Sequence, residues 1–426
     1  MHDQKGQKQS RILILLGIGM VVGVSIVTLF PIERLIQSSV ALAADRSQKE
    51  GKPGSLGVFE DFAQGQAFLN EQKYEKAIKA FNQAESNGVT LYELYLFRGA
   101  AYHEIGQFQN AKRDAEKAIE LQPARMLGYE LLAGVAVSSS SLEDAIKILT
   151  NALTKVEGIE KAQLMKTRGR FLLNGERQKD AIRDLTHAID MGDTSAATYY
   201  LRGDAHKELG RYELAIQDYS EALAIQPTHH SSLRSRGWTY GCIGEYEKGL
   251  SDLNQLLASS PEDLWARQRR GWVRLELDDK QGALADLSYA LAAGSKNPWT
   301  FLNAAAAYSL QENMAKALEV NAQGLALKDP EAEYMLQFQR GLLLLISGQG
   351  GEAEKFYKKA ELSALKSHDP LELQEAIADL KEEMHLHSHI ASIAEPILKE
   401  LEHTLAKTKA PHKPRPNQCQ RLKKRK

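Results

Sequence analysis

Apolar and small residues fall three or four positions apart along most of this chain, in runs separated by short polar turns. Segment 199–227, YYLRGDAHKELGRYELAIQDYSEALAIQP, shows it clearly. Its first run takes Tyr199, Leu201, Gly203, His206 and Leu209, and its second Tyr212, Ala215, Tyr219, Ala222 and Leu223. That spacing marks one face of a helix in each half. Gly210 between the halves suits a helix C-cap, and Pro227 stops the second helix. The segment therefore predicts helix–turn–helix.

The unit repeats. Small residues stand at Ala77, Ala111, Ala145, Ala181, Ala215, Gly249, Ala283, Ala317 and Ala353, in steps of 34 with two steps of 36. A second series keeps time twelve residues upstream, at Gly65, Gly99, Ala133, Gly169, Gly203, Gly237, Gly271, Ala305 and Gly341. Two locked series predict nine copies of one helical hairpin, small where its helices approach closely. A large side chain there would overpack the contact at about 1–3 kcal/mol. The two steps of 36 predict longer loops before the fourth and ninth units.

These residues resemble the tetratricopeptide repeat. That pattern has a bulky residue at position 4, Gly or Ala at 8, an aromatic at 11, small residues at 20 and 27, and Pro at 32. With Gly99 at position 8, the unit reads Tyr95, Gly99, Tyr102, Ala111, Ala118 and Pro123. With Gly237 there, it reads Leu233, Gly237, Tyr240, Gly249, Leu256 and Pro261. The copies beginning near Met126, Ala162, Pro298 and Tyr334 lack the terminal Pro. The resemblance implies an all-α, right-handed α-solenoid over residues 58–362. Residues 363–405 read as two capping helices, since an open solenoid end exposes apolar surface.

The resemblance also implies that the first helix of each unit lines a concave groove for protein or peptide ligands, exposing positions 2, 5, 9, 12 and 13. All four tryptophans fall in units six to eight. Trp265 and Trp299 take position 2, and Trp238 and Trp272 position 9. Arg234 takes position 5 and Arg269 position 6, while Lys166 and Arg170 take positions 5 and 9 of the fourth unit. The functional reading of these eight residues is a peptide groove, with Trp supplying contact area and Arg pairing with an acidic group. The plainer reading is that the Trp rings fill gaps between neighbouring helices. Co-chaperones of this family hold a dicarboxylate with Lys, Asn, Asn, Lys and Arg. The matching places in the first units here hold Phe62, Gln66, Phe97, Leu127 and Leu131, so that clamp is absent there.

The ends add expectations that the repeat does not carry. Residues 12–30 are nineteen uncharged residues preceded by Lys5, Lys8 and Arg11, which predicts a membrane-crossing helix with residues 1–11 cytoplasmic and the repeats exported. The rival reading is a signal peptide cleaved near Ala43, giving a secreted or periplasmic protein. Gly19 and Gly23 form a pair that can support dimerisation, the basis of an alternative role as a self-associating assembly factor. Residues 31–57 read as a linker. Residues 406–426 read as a disordered basic tail, with nine Lys or Arg and no acid from Lys407 onward, able to meet an anionic surface or nucleic acid.

Composition is that of an ordinary globular chain, with net charge −1. The two cysteines, Cys242 and Cys419, make neither a disulfide framework nor a zinc spacing. His385 and His389 are spaced as a helical metal pair without a third ligand. His229 and His230 follow Pro227 in what reads as a solvated turn. No nucleotide-binding, hydrolase or metalloprotease motif occurs, so no enzyme, cofactor or metal is expected.

Overall fold

The structure, a computed structural model, describes residues 55–139, 141–330, 332–367 and 370–407. The apolar segment 12–30, the linker up to residue 54 and the tail after Lys407 lie outside the described residues. Every regular element among the described residues is a helix. None of them is long and apolar enough to cross a membrane.

The chain divides into two compact units, residues 1–194 and 195–426. In the first, α1 (Ser55–Asn70) pairs with α2 (Tyr74–Ser86) and α3 (Tyr92–Glu104) with α4 (Phe108–Leu121). There α5 (Met126–Ser138) pairs with α6 (Leu142–Ala152) and α7 (Gly158–Asn174) with α8 (Gln178–Asp190). The second unit holds five hairpins: α9 (Ala196–Glu208) with α10 (Tyr212–Ile225), α11 (His230–Cys242) with α12 (Tyr246–Ser259), and α13 (Leu264–Glu276) with α14 (Lys280–Ala292). Next come α15 (Pro298–Leu310) with α16 (Met314–Ala326), and α17 (Glu333–Ile346) with α18 (Gly350–Ser367). Then α19 (Pro370–Leu386), a single 3₁₀ turn (Ser388–Ile390) and α20 (Ala391–Lys407) follow, and α19 and α20 pack on α18. Ile377, Leu380, Ile397 and Leu401 extend the core of the last hairpin.

The close approach inferred from the small residues has a definite form. The alanines at position 20, from Ala77 to Ala353, are fully buried. A Cβ at Gly65, Gly203, Gly271 or Gly341 would come within 2.6–2.7 Å of Phe81, Tyr219, Leu287 or Tyr357, the large residue at position 24 of the same unit. The glycine is thus a seat for that side chain.

Each described turn between the paired helices passes through one residue in the left-handed region. Glycine serves at Gly106, Gly210, Gly244 and Gly348, but Gln72, Glu176, Asp278 and Glu312 hold the same place at φ 56–62°. The hairpin imposes this kink whether or not the residue favours it. One loop expectation needs correcting. The two extra residues of the fourth unit lengthen α7, which has 17 residues against 13 in α9. The helix absorbs them by starting earlier, and only the ninth unit's loop, residues 327–332, is lengthened.

Candidate functional site

Two sets of arginines occupy the first helices. The first set faces inward. Arg98, Arg168, Arg202, Arg236 and Arg270 each grip an aspartate sixteen residues on, in the second helix of the same hairpin, through two parallel hydrogen bonds. For Arg236 and Asp252 both are 2.8 Å. The five aspartates are 1–4% exposed, so the charges are buried as satisfied pairs. Burial alone would lower the pKa of Arg98, but its hydrogen bonds to Asp114 and Glu85 outweigh this and raise it. The third nitrogen reaches back to the preceding hairpin, at Asn82, Thr150, Ser220 and Asn254 for Arg98, Arg168, Arg236 and Arg270. The same two places hold Leu132 and Ile148 in the third unit and Ala304 and Val320 in the eighth. In the ninth unit Arg340 keeps the cation without the aspartate, lying 5.5 Å from the ring centre of Phe356 and donating to the Leu318 carbonyl. Our reading of the sequence missed this staple, although its signal was present: Arg and Asp recur on the same 34-residue step as the glycines.

The second set lies on the face expected to line the groove. In the second unit, α11 and α13 bring together Trp238, Trp265, Trp272, Arg234 and Arg269. The Arg269 guanidinium lies 3.7 Å from the ring centre of Trp238 and 5.3 Å from that of Trp265. Arg234 lies 5.1 Å from Trp265 and is ion-paired with Asp263, the N-cap of α13. Arg269 has no such partner. Its Nε is sealed from solvent without an acceptor, and burial pushes its pKa down to about 10. The neighbouring Gln268 is 1% exposed, and neither atom of its amide has a hydrogen-bond partner. A buried amide without partners and a buried guanidinium nitrogen without an acceptor, on consecutive residues, are costly unless something fills their valences. Gln268 was not legible as a site residue, because one glutamine carries no signal until its burial is known.

The other candidates separate. Trp272 stacks at 5.1 Å on Trp238, and its ring edge sits where a Cβ on Gly241 would come within 2.6 Å. It is a wedge between hairpins as well as a wall of the cluster, so here the packing reading holds. Trp299, at the start of α15, makes no ring or cation contact with the cluster. Lys166 and Arg170 belong to the first unit. Lys166 pairs with Asp193 at 2.9 Å. Arg170 is pushed down in pKa by burial, with Glu130 opposing, and Glu130 is itself pushed up by burial despite accepting from Thr167.

Three further expectations are corrected. His229 caps α11, its Nδ1 accepting from the Ser232 amide at 3.3 Å, and burial lowers its pKa. The helix carrying His385 ends at Leu386, so His389 is not one turn along the same helix. No group of His, Cys, Asp or Glu able to hold a metal occurs among the described residues. Cys242, the last residue of α11, is buried and disulfide-bonded, and the other cysteine of the chain, Cys419, lies outside the described residues.

The tetratricopeptide-repeat profile matches residues 92–125 and 196–229. With the hairpins on the same period throughout, the chain is a tetratricopeptide-repeat protein, and its repeats are a scaffold for protein–protein contacts. It is similar to Hsp70-Hsp90 organizing protein 3 of Arabidopsis thaliana, 29% identical over 94 residues, 22% of this chain and 17% of that one. The Hsp70-Hsp90 organizing protein of Triticum aestivum is 32% identical over 88 residues, 21% of this chain and 15% of its own length. The chain thus spans about a sixth of the length of these relatives. A tetratricopeptide repeat protein from Parabacteroides merdae ATCC 43184 is similar at 18% identity and a TM-score of 0.41, over 64% of this chain and 93% of that one.

Proposed function

We propose that this protein is a membrane-tethered adaptor whose cluster on α11 and α13 holds an extended protein segment carrying an acidic group. One observation carries the reading: Arg269 is a desolvated cation between two tryptophans, and no carboxylate of the described chain answers it. Five guanidiniums elsewhere on the first helices are each matched by an aspartate and Arg340 donates to the Leu318 carbonyl, whereas the buried Nε of Arg269 meets no acceptor. A bidentate oxyanion would satisfy it, Gln268 would pair with the backbone beside that group, and the rings would cover the segment.

The relatives are named for Hsp70 and Hsp90. The corresponding clamp positions here are occupied by Phe62, Phe97 and Leu131, all nearly buried, and the two phenylalanine rings stack at 6.4 Å. Chaperone tails are therefore not the ligand we propose. Residues 12–30 supply the tether and leave the repeats outside the cytoplasm, and we assign the protein no enzymatic step.

A display of random peptides screened on the full chain tests the reading. Enriched peptides carry an acidic residue or a free C-terminal carboxylate, and Arg269→Leu abolishes the enrichment. Enrichment unchanged by Arg269→Leu and by Gln268→Ala would remove the cluster as the site. Protease accessibility of the repeats in sealed membranes tests the tether, since protection from protease added on the cytoplasmic side is the expected result.

A further inference from the structure

We propose that Glu130 and Arg170, on the first helices of the third and fourth hairpins, form a second binding site, for an uncharged planar amide of a polypeptide. Both hairpins belong to the first compact unit, so the site shares no element with the cluster on α11 and α13.

Glu130 stands on α5 and Arg170 on α7, and the two helices touch. Position 5 holds buried Phe62 and Leu96 in the first two units, so the repeat itself asks for no charge where Glu130 stands. One carboxylate oxygen of Glu130 accepts from the Thr167 hydroxyl, and the other has no partner among the described residues. Arg170 donates no hydrogen bond to any described residue, and its guanidinium lies 5.5 Å from the ring centre of Phe171. The two charges attract each other, yet neither a hydrogen bond nor an ion pair joins them.

Elsewhere on the same helix such pairs are closed. Arg168 meets Asp184 through two bonds of 2.6 and 2.7 Å. Lys166 pairs with Asp193 at 2.9 Å. Arg170 and Glu130 are left open, although burial disfavours the charge on each. Gly134, one turn beyond Glu130 on the same face of α5, adds no side chain there.

The charges select the ligand. A carboxylate drawn to Arg170 is repelled by Glu130, and an ammonium drawn to Glu130 is repelled by Arg170. A neutral group that accepts at one edge and donates at the other suits both. An amide carbonyl accepts from the guanidinium, and the amide N–H donates to the free oxygen of Glu130. That amide is a backbone peptide unit or the side chain of Asn or Gln. At Arg269 no carboxylate stands opposite, and there an acidic group is the match.

Saturation-transfer NMR on the full chain tests the site with three probes, the N-acetyl methylamides of glutamine, alanine and glutamate. Recognition of a side-chain amide makes the glutamine probe bind tighter than the alanine probe, and recognition of the backbone makes the two alike. In either case Arg170→Leu and Glu130→Leu each weaken glutamine-probe binding about tenfold, the loss of one charge-assisted hydrogen bond. Glutamine-probe binding unchanged in both variants, or Arg170→Leu weakening the glutamate probe alone, would overturn the proposal. Arg269→Leu acts on the glutamate probe only, so the acidic-group reading stands or fails separately. Denaturation of the same variants separates binding from cohesion. The midpoint of Arg170→Leu stays at or above that of the native chain, and a fall as large as that of Arg168→Leu would make Arg170 and Glu130 a cohesive pair and overturn the site.

Discussion

Two faces of α13 carry neighbouring arginines in opposite conditions. Arg270 faces its hairpin partner and meets Asp286 through two hydrogen bonds of 2.8 and 2.7 Å, with Asn254 of the preceding hairpin on its third nitrogen. Arg269 lies on indole rings and has a buried Nε with no acceptor. The same side chain serves cohesion on one face and leaves an unanswered charge on the other. Cohesion needs the pair complete, and the binding we propose needs it incomplete until a ligand arrives.

The strongest way to break the comparison is at Asp286, which is 1% exposed and also within 2.8 Å of Arg274 and 3.5 Å of Arg267. Asp286→Ala strands buried cations, and a loss of about 3–5 kcal/mol is expected in denaturant unfolding. Replacing Arg270 and Asp286 together by Leu and Ile removes the charge of Arg270 but leaves Arg267 and Arg274 without Asp286, so part of that loss should return. If the double variant recovers nothing relative to Asp286→Ala, Arg270 is not the exchangeable partner described here.

A smaller effect belongs to the turns. Asp278→Gly and Glu312→Gly relieve a left-handed backbone and should each stabilise by up to about 1 kcal/mol, against a loss for Gly210→Ala or Gly244→Ala. Thermal midpoints moving the other way would show that the turns are not strained.

The smallest effect is on pH. Burial lowers the pKa of both His206 and His229 below the ordinary 6.5. Their folded forms resist protonation, so the unfolded chain binds more protons once pH falls below about 6.5, and stability falls with it. Above that value neither group contributes. His229→Asn, which keeps a cap on α11, should reduce the slope of stability between pH 7 and 5.5, and an unchanged slope would rule out His229 as a source.

Fold and site were unequally legible. The hairpins were readable because position 8 must be small under Phe81, Tyr219 or Leu287, a steric demand written at every step. That Trp238, Trp265, Arg234 and Arg269 come together was readable because Trp and Arg recur on the first helices of consecutive units. What each arginine meets was not. Arg234 answers to Asp263 in the next unit and Lys166 to Asp193 beyond a turn, pairings set by packing rather than by a local spacing. Trp272 looked like Trp238 on paper, and only the slot over Gly241 separates a wedge from an exposed ring. The fourth unit's extra residues changed a helix because nothing in their number says which side of a turn absorbs them.

The most direct test of the central claim compares the denaturation midpoints of Arg269→Leu and Arg270→Leu in the full chain. Arg270→Leu should lower the midpoint by the equivalent of about 3 kcal/mol, the cost of leaving Asp286 short of a partner. Arg269→Leu should change it by no more than about 1 kcal/mol in either direction, since lost ring contacts offset a relieved desolvation. Equal and large losses in both would contradict the account, because Arg269 would then be a second staple and not a charge held open for a ligand.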